Sequence, residues 1–381
     1  MSSQDFVRQL PYAAQSFNRK QDFWSRIHID WQLLLLLLGL AGVGLLVLYS
    51  ASGQDIDRVY RQATRIGVAF AVMVAFAQVS PHHYRRWSLP LFLFAVLLLL
   101  GVLFAGVGAK GAQRWLQLPG LPRFQPSEIM KLALPMMLAW YYSDRRLPPR
   151  LKHIAWGVVF LTIPTLLIAK QPDLGTALLI GASGMFVLLF AGIPWKLVGS
   201  LAALTTASLP LLWSLLKDYQ KGRVLTFLDP ERDPLGAGWN IIQSKTAIGS
   251  GGFRGKGWLE GTQSHLDFLP ESHTDFIIAV FAEEFGFIGC VLLLFLYLLI
   301  VTRCLFIATR ADDTYGRLLA GSLTLTFFFY FFVNIGMVTG VLPVVGLPLP
   351  LMSYGGTSIL TLCIGFGLLM SIQTHRKLLP R

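Results

Sequence analysis

Apolar residues fall along this chain in long blocks. They show neither the alternation of a half-buried strand nor the single stripe of a surface helix. Leu33 to Leu48 is an almost unbroken apolar run, and Val291 to Val301 is another. A bilayer core of roughly 30 Å needs about 20 apolar residues of helix. Ten blocks approach that length, at about 31–51, 63–80, 88–107, 127–143, 152–169, 174–192, 195–216, 275–302, 317–342 and 351–373. The expected fold is an all-α polytopic membrane protein of about ten transmembrane helices. An even number of crossings puts both termini on one side.

The blocks also set the domain organisation. Residues 1–25 read as a polar tail and 26–381 as one transmembrane domain, with a long loop at 217–274 between helices 7 and 8. That loop is more than a linker. It holds Trp239, Trp258, an apolar-polar stretch from Trp239 to Ile248, and eight glycines between Gly236 and Gly261. Such a loop is expected to lie on the membrane surface and to be functional. The first thirty residues lack a short apolar core with a small-residue cleavage site, so the first helix is expected to act as its own insertion signal.

Composition agrees: 54% of residues are hydrophobic and only 14% charged, against about 25% charged in a soluble chain. The net charge of +12 raises the question of nucleic acid. Here, however, the cations sit in short clusters between apolar runs, which fits the positive-inside rule better. No nucleic-acid partner is expected. Seventeen Lys and Arg fall on the side of the termini and seven in the short loops opposite, while the long loop carries seven more. Long loops translocate largely regardless of charge, so both termini are expected in the cytoplasm and 217–274 outside. Cys290, Cys304 and Cys363 lie in or beside apolar runs, and their spacing suits neither zinc nor a disulfide framework.

Five polar clusters interrupt the apolar pattern, and this topology puts all of them at the outer face. They are Lys110–Trp115; Phe124–Glu128 with Lys131; Lys170–Asp173; Leu269–Phe276; and the Pro/Gly-rich stretch from Pro343 through Ser353–Tyr354–Gly355–Gly356. Pro126 and Pro172 suit the first position of a helix, where nearby acids favour the dipole. Ser272 and Asp275 have the spacing of a capping box. Each acid alone reads as a cap, but three helices opening with an acid at one face, beside arginines and lysines, make a site. Glu128 and Lys131 share a helix face, and Lys131 lies about one turn inside the membrane, where a charge must face the bundle interior. Glu283 and Glu284 lie deeper still and are expected to face inward, with a structural ion pair as the plainest role.

Other chemistry is excluded by its motifs. The stretch Gly249 to Gly257 fails the P-loop pattern at Ser250 and at Gly257, so no nucleotide is expected. There is no Gly-x-Ser-x-Gly elbow and no His-Glu-x-x-His pair. What the residues support is an outward-facing cavity of mixed charge. Arg and Lys suit the phosphate of an anionic, lipid-anchored ligand, and a carboxylate serves as a base or holds a metal.

Ser50–Ala51–Ser52–Gly53, Gly111–Trp115, Gln125–Pro126–Ser127–Glu128, Gln171–Pro172–Asp173–Leu174–Gly175, His273–Thr274–Asp275–Phe276 and Pro348 through Gly356 together resemble the SEDS family (shape, elongation, division and sporulation). The resemblance covers roughly residues 23–378. Leu228–Asp229–Pro230 to Gly236 and Ile248 to Gly252 look more like its elongation branch. It implies a peptidoglycan glycosyltransferase of the bacterial inner membrane that polymerises lipid II into β1→4 glycan strands on the outer, periplasmic face. It implies a class B penicillin-binding protein and other proteins of the rod complex as partners.

The family's essential acid falls on Asp275, the expected general base of an inverting transfer, and its helix-4 Glu and Lys fall on Glu128 and Lys131. Arg114, Lys131 and Arg223 are expected to contact phosphate. Glu128 either pairs with Lys131 or helps hold a divalent cation, Mg²⁺ or Mn²⁺, and Asp173 completes the substrate-binding set. The alternative reading is a lipid II flippase, since an outward cavity with intramembrane charges also suits a transporter.

Overall fold

The structure is a computed structural model. It describes residues 27–109, 112–117, 123–208, 237–262 and 272–375, with isolated positions between 210 and 229. Among these residues there are eleven helices and one short hairpin. The helices are α1 (Trp31–Ala51), α2 (Ile56–Gln78), α3 (Pro81–Ala105), α4 (Pro126–Ser143), α5 (Leu151–Lys170), α6 (Leu174–Phe190), α7 (Trp195–Ala207), α8 (Ala237–Gly251), α9 (Ile277–Thr309), α10 (Thr314–Val338) and α11 (Thr357–Thr374). All but α8 correspond to the ten expected helices. Six (α1, α3, α5, α9, α10 and α11) are long and apolar enough to cross a membrane, and α6 is a shorter apolar helix.

Three starts differ from the apolar pattern, each for a local reason. α2 begins at Ile56, because Asp55 caps it through Arg58 N at 3.0 Å, and its first turns are polar. α3 begins with Pro81 at its first position, a residue that starts helices but does not continue them. α11 begins only at Thr357, after a turn in which Leu351 has a positive φ. The hairpin pairs β1 (Val107–Ala109) with β2 (Ala112–Trp115) and was not legible as strands in so short a stretch.

α8 occupies the stretch expected to lie on the membrane surface. It packs on α9 and α10, with Ile241 and Ala247 buried and Ser244 Oγ donating to Val338 O at 2.9 Å. The core lies where α4, α9, α10 and α11 meet, and α10 is mostly buried along its length. The cysteines are free thiols.

The apolar run of α9 hides a break. Gly286 has φ 64° inside the helix. At that break Phe287 N and Ile288 N donate to Gly252 O and Phe253 O, while Lys256 N and Gly257 N donate to Glu283 O and Glu284 O. The loop after α8 thus supplies the partners that the interrupted helix lacks, as non-helical backbone at membrane depth requires.

Candidate active site

The His-Thr-Asp-Phe segment enters α9 through a turn in which successive residues are tied to different parts of the bundle. Ser272 Oγ donates to Ala51 O at the end of α1, at 3.2 Å. The carbonyl oxygens of His273, Thr274 and Asp275 accept from Tyr354 N (2.9 Å), Ser353 Oγ (2.5 Å) and Asn334 Nδ2 (2.9 Å). Ser353 Oγ also accepts from Leu349 N at 2.7 Å, and Gln62 reaches Ser353 O and Gly355 N. The Ser-Ala-Ser-Gly and Ser-Tyr-Gly-Gly motifs are therefore parts of one frame. Asp275 is half-buried, and a Cβ built on Gly346 would lie 3.5 Å from its Oδ2. The backbone of the 343–350 stretch lies against the carboxylate.

The capping box expected of Ser272 and Asp275 does not form. The N-cap of α9 is Phe276, with no side-chain cap bond, because the chain makes a turn over 272–276 before the helix proper. Pro172 likewise stands before the N-cap of α6 and not at its first position, whereas Pro126 opens α4 as expected.

Asp173 does cap α6, accepting from Thr176 N at 3.3 Å. It is buried and also accepts from Gln125 Nε2 at 3.0 Å, while Arg114 Nη1 stands 3.7 Å from its Oδ1. Arg114 donates as well to Pro172 O, and its Nε is buried without a hydrogen-bond partner. In the first turns of α4, Lys131 Nζ donates to Glu128 Oε1 at 2.7 Å and to Tyr330 OH on α10 at 3.2 Å. Lys131 is 7% exposed, so the expected inward-facing charge is there with its partner. The cavity that Lys131 lines beside Tyr330, Thr326, Ser358 and Thr361 is small and mostly apolar.

These groups converge. Gln125 directly precedes α4 and joins the Asp173 group to the Glu128–Lys131 pair. A Cβ on Gly175 would lie 2.5 Å from Val345 O, so the 343–350 stretch abuts the first turn of α6, two residues past Asp173. Tyr330 and Asn334 stand one turn apart on α10 and reach Lys131 and Asp275 respectively. Arg223 lies outside the described residues.

Glu283 and Glu284 are buried away from this group. Glu283 Oε1 accepts from Lys256 Nζ (2.7 Å) and Thr262 N (2.9 Å), and Ser50 donates to Glu284. Both flank the break in α9, and Glu283 makes with Lys256 the structural ion pair expected of it. Among the described residues no three carboxylate, His or Cys side chains gather to hold a metal.

Sequence reasoning placed Gln125 in a polar cluster without a role and missed Tyr330 and Asn334. A lone amide in the apolar run Phe327–Met337 was the available signal for Asn334. Tyr330 was masked by the phenylalanines around it.

The FtsW/RodA/SpoVE family model, described as cell cycle protein, matches residues 31–378. The chain belongs to this family, the SEDS family. Among its relatives, the peptidoglycan glycosyltransferase MrdB of Escherichia coli is 53% identical over 363 residues, covering 95% of this chain and 98% of that protein. A chain solved in a study of how a peptidoglycan synthase complex coordinates polymerization and crosslinking superposes with a TM-score of 0.80 at 33% identity, over 91% of this chain and 99% of that one. The rod shape determining protein RodA of Thermus thermophilus superposes with a TM-score of 0.68 at 28% identity, over 91% and 98%.

Proposed function

We propose that this SEDS protein is a peptidoglycan glycosyltransferase, which polymerises lipid II into β1→4 glycan strands at the outer face of the cytoplasmic membrane during cell elongation. The observation that carries the reading is the frame around Asp275. Three successive backbone carbonyls, of His273, Thr274 and Asp275, are fixed by three separate donors. A frame of that kind holds a reacting group in a defined place.

Asp275 takes the proton of the acceptor 4-hydroxyl as that oxygen attacks the anomeric carbon of the donor sugar. The bond to the undecaprenyl pyrophosphate breaks on the opposite face, which inverts the configuration. The leaving phosphate carries the charge that cations must stabilise. Lys131 has three N–H donors, two of them given to Glu128 and Tyr330, and the third serves an incoming phosphate oxygen. Glu128 holds Lys131 charged at membrane depth. Arg114, buttressed by Asp173 and Pro172 O, offers a second cationic contact, and Arg223 a third from the long loop. Asp173 acts by orienting Arg114. Should Mg²⁺ or Mn²⁺ take part, Glu128 is the carboxylate placed to help hold it.

A class B penicillin-binding protein, acting beside it in the rod complex, crosslinks the strands. The synthase-complex likeness supports that partnership. The Lys/Arg asymmetry supports both termini in the cytoplasm. The test is purified protein, alone and with a class B penicillin-binding protein, given labelled lipid II in detergent. Glycan polymer on a gel supports the reading; its absence from both preparations removes it.

A further inference from the structure

Asn334 is wholly buried in α10, one turn from the end of the helix, in a run of aromatic and aliphatic neighbours. Its Nδ2 donates to two carbonyls at once, Asp275 O at 2.9 Å and Leu347 O at 2.6 Å. Its Oδ1 is buried with no hydrogen-bond partner. A buried amide left half satisfied is a stability cost, so packing alone gives no reason for asparagine here. The two carbonyls it joins belong to the candidate base and to the stretch whose Gly346 lies against that base.

One turn earlier on the same helix, about 6 Å along the axis at helical rise, Tyr330 OH accepts from Lys131 Nζ at 3.2 Å. α10 therefore touches both halves of the site with two side chains on one face. Between the two, Phe331 and Val333 are buried as well.

We infer that Asn334 is a positioning residue, which with Tyr330 makes α10 a fixed spacer between the proton acceptor Asp275 and the phosphate-binding Lys131. The inference rests on the reading of Asp275 as base and Lys131 as phosphate contact. Asn334 touches no reacting atom. It sets where the acceptor hydroxyl meets Asp275 relative to the donor pyrophosphate. Misplacement on the scale of an ångström costs about 100-fold in rate.

The test compares wild type, Asn334→Ala, Asn334→Asp and Tyr330→Phe in purified complex with the penicillin-binding partner. It measures kcat and KM for lipid II on protein shown folded by thermal unfolding. Amide hydrogen exchange is measured on the same samples. Asn334→Ala is expected to lower kcat by about 10- to 100-fold with KM within about threefold. Asn334→Asp keeps the volume but turns a carboxylate oxygen toward two carbonyls, and is expected to do no better. Tyr330→Phe is expected to lower kcat as well, through Lys131. Exchange at 275–280 and 347–353 is expected to rise in both Asn334 variants while the middle of α10 stays protected.

Wild-type kcat in a folded Asn334→Ala protein overturns the inference and leaves the glycosyltransferase reading standing. If wild type itself makes no polymer, that reading fails, and exchange decides the spacer separately. Unchanged protection at both segments in the Asn334 variants overturns it.

Discussion

Asparagine in place of Asp275 keeps the shape of the side chain and all the backbone ties of residues 273–275, and removes the proposed proton acceptor. Loss of a general base costs about 10²–10⁴ in rate, so Asp275→Asn is expected to lose polymerisation while its unfolding in detergent stays near wild type. Near-native polymer from this variant refutes the assignment. Lys131 presents a different case, because its removal strands Glu128 as a buried carboxylate. Breaking one side of such a pair costs about 3–5 kcal/mol. Lys131→Ala is therefore compared with Glu128→Gln/Lys131→Met, which removes both charges. Both proteins are expected to lose polymerase activity, the double variant without the stability loss, whereas Lys170→Ala is expected to behave as wild type because Lys170 is exposed. Equal activity of the Lys131 and Lys170 variants takes Lys131 out of the site. At this scale the sequence showed which residues carry charge into the membrane, since a Lys within an apolar helix has few explanations. It did not show Asn334 or Tyr330, whose roles exist only once α10 lies against the entry to α9.

α9 is the element whose form the sequence conceals. From 275 to 302 it reads as one continuous helix, and Gly286 is one of two glycines in it. The break is visible only when the loop at 252–257 is in place, because that loop gives the interrupted backbone its partners. A Cβ on Gly286 would overlap Gly255 N, and the positive φ adds strain for any other residue. Gly286→Ala is thus expected to destabilise by about 1–3 kcal/mol, read as a lower unfolding temperature in detergent, with larger loss of exchange protection in 251–257 than in α4. Unchanged stability would mean that the helix closes over the break unaided. The ten membrane helices were legible because each is a block of apolar residues. Their starts were less so, because Asp55 and Pro81 extend α2 and α3 beyond the apolar blocks. The capping box at Ser272 and Asp275 had the right residues, and the turn before α9 prevents it.

At the scale of the molecule, the two ends of the bundle meet on the face opposite the site. His28, just before α1, stacks on His375 at the end of α11 with ring centroids 3.8 Å apart and planes 6° from parallel, and its Nδ1 lies 3.2 Å from Thr374 Oγ1. Burial first, and the neighbouring His375 second, hold the His28 imidazole below its ordinary value of 6.5. The folded protein therefore favours the neutral ring. That contribution is whole above the ordinary value and is lost as pH falls below it, when the unfolded chain takes up the proton first. Unfolding temperature is expected to drop between about pH 7 and about pH 5.5, and less steeply in His28→Gln; identical slopes dismiss the stack as a pH-sensitive tie. The whole bundle also frames the choice between enzyme and flippase, which share an outward site with buried charge and differ in what they need from Asp275. The deciding measurement takes wild type and Asp275→Asn in proteoliposomes with the penicillin-binding partner, and follows glycan polymer and leaflet-to-leaflet transfer of labelled lipid II on one preparation. A glycosyltransferase that uses Asp275 as its base gives polymer from wild type, none from the variant, and no protein-dependent transfer from either. Transfer by wild type without polymer contradicts that reading, and makes the outward acids an ion-coupling path.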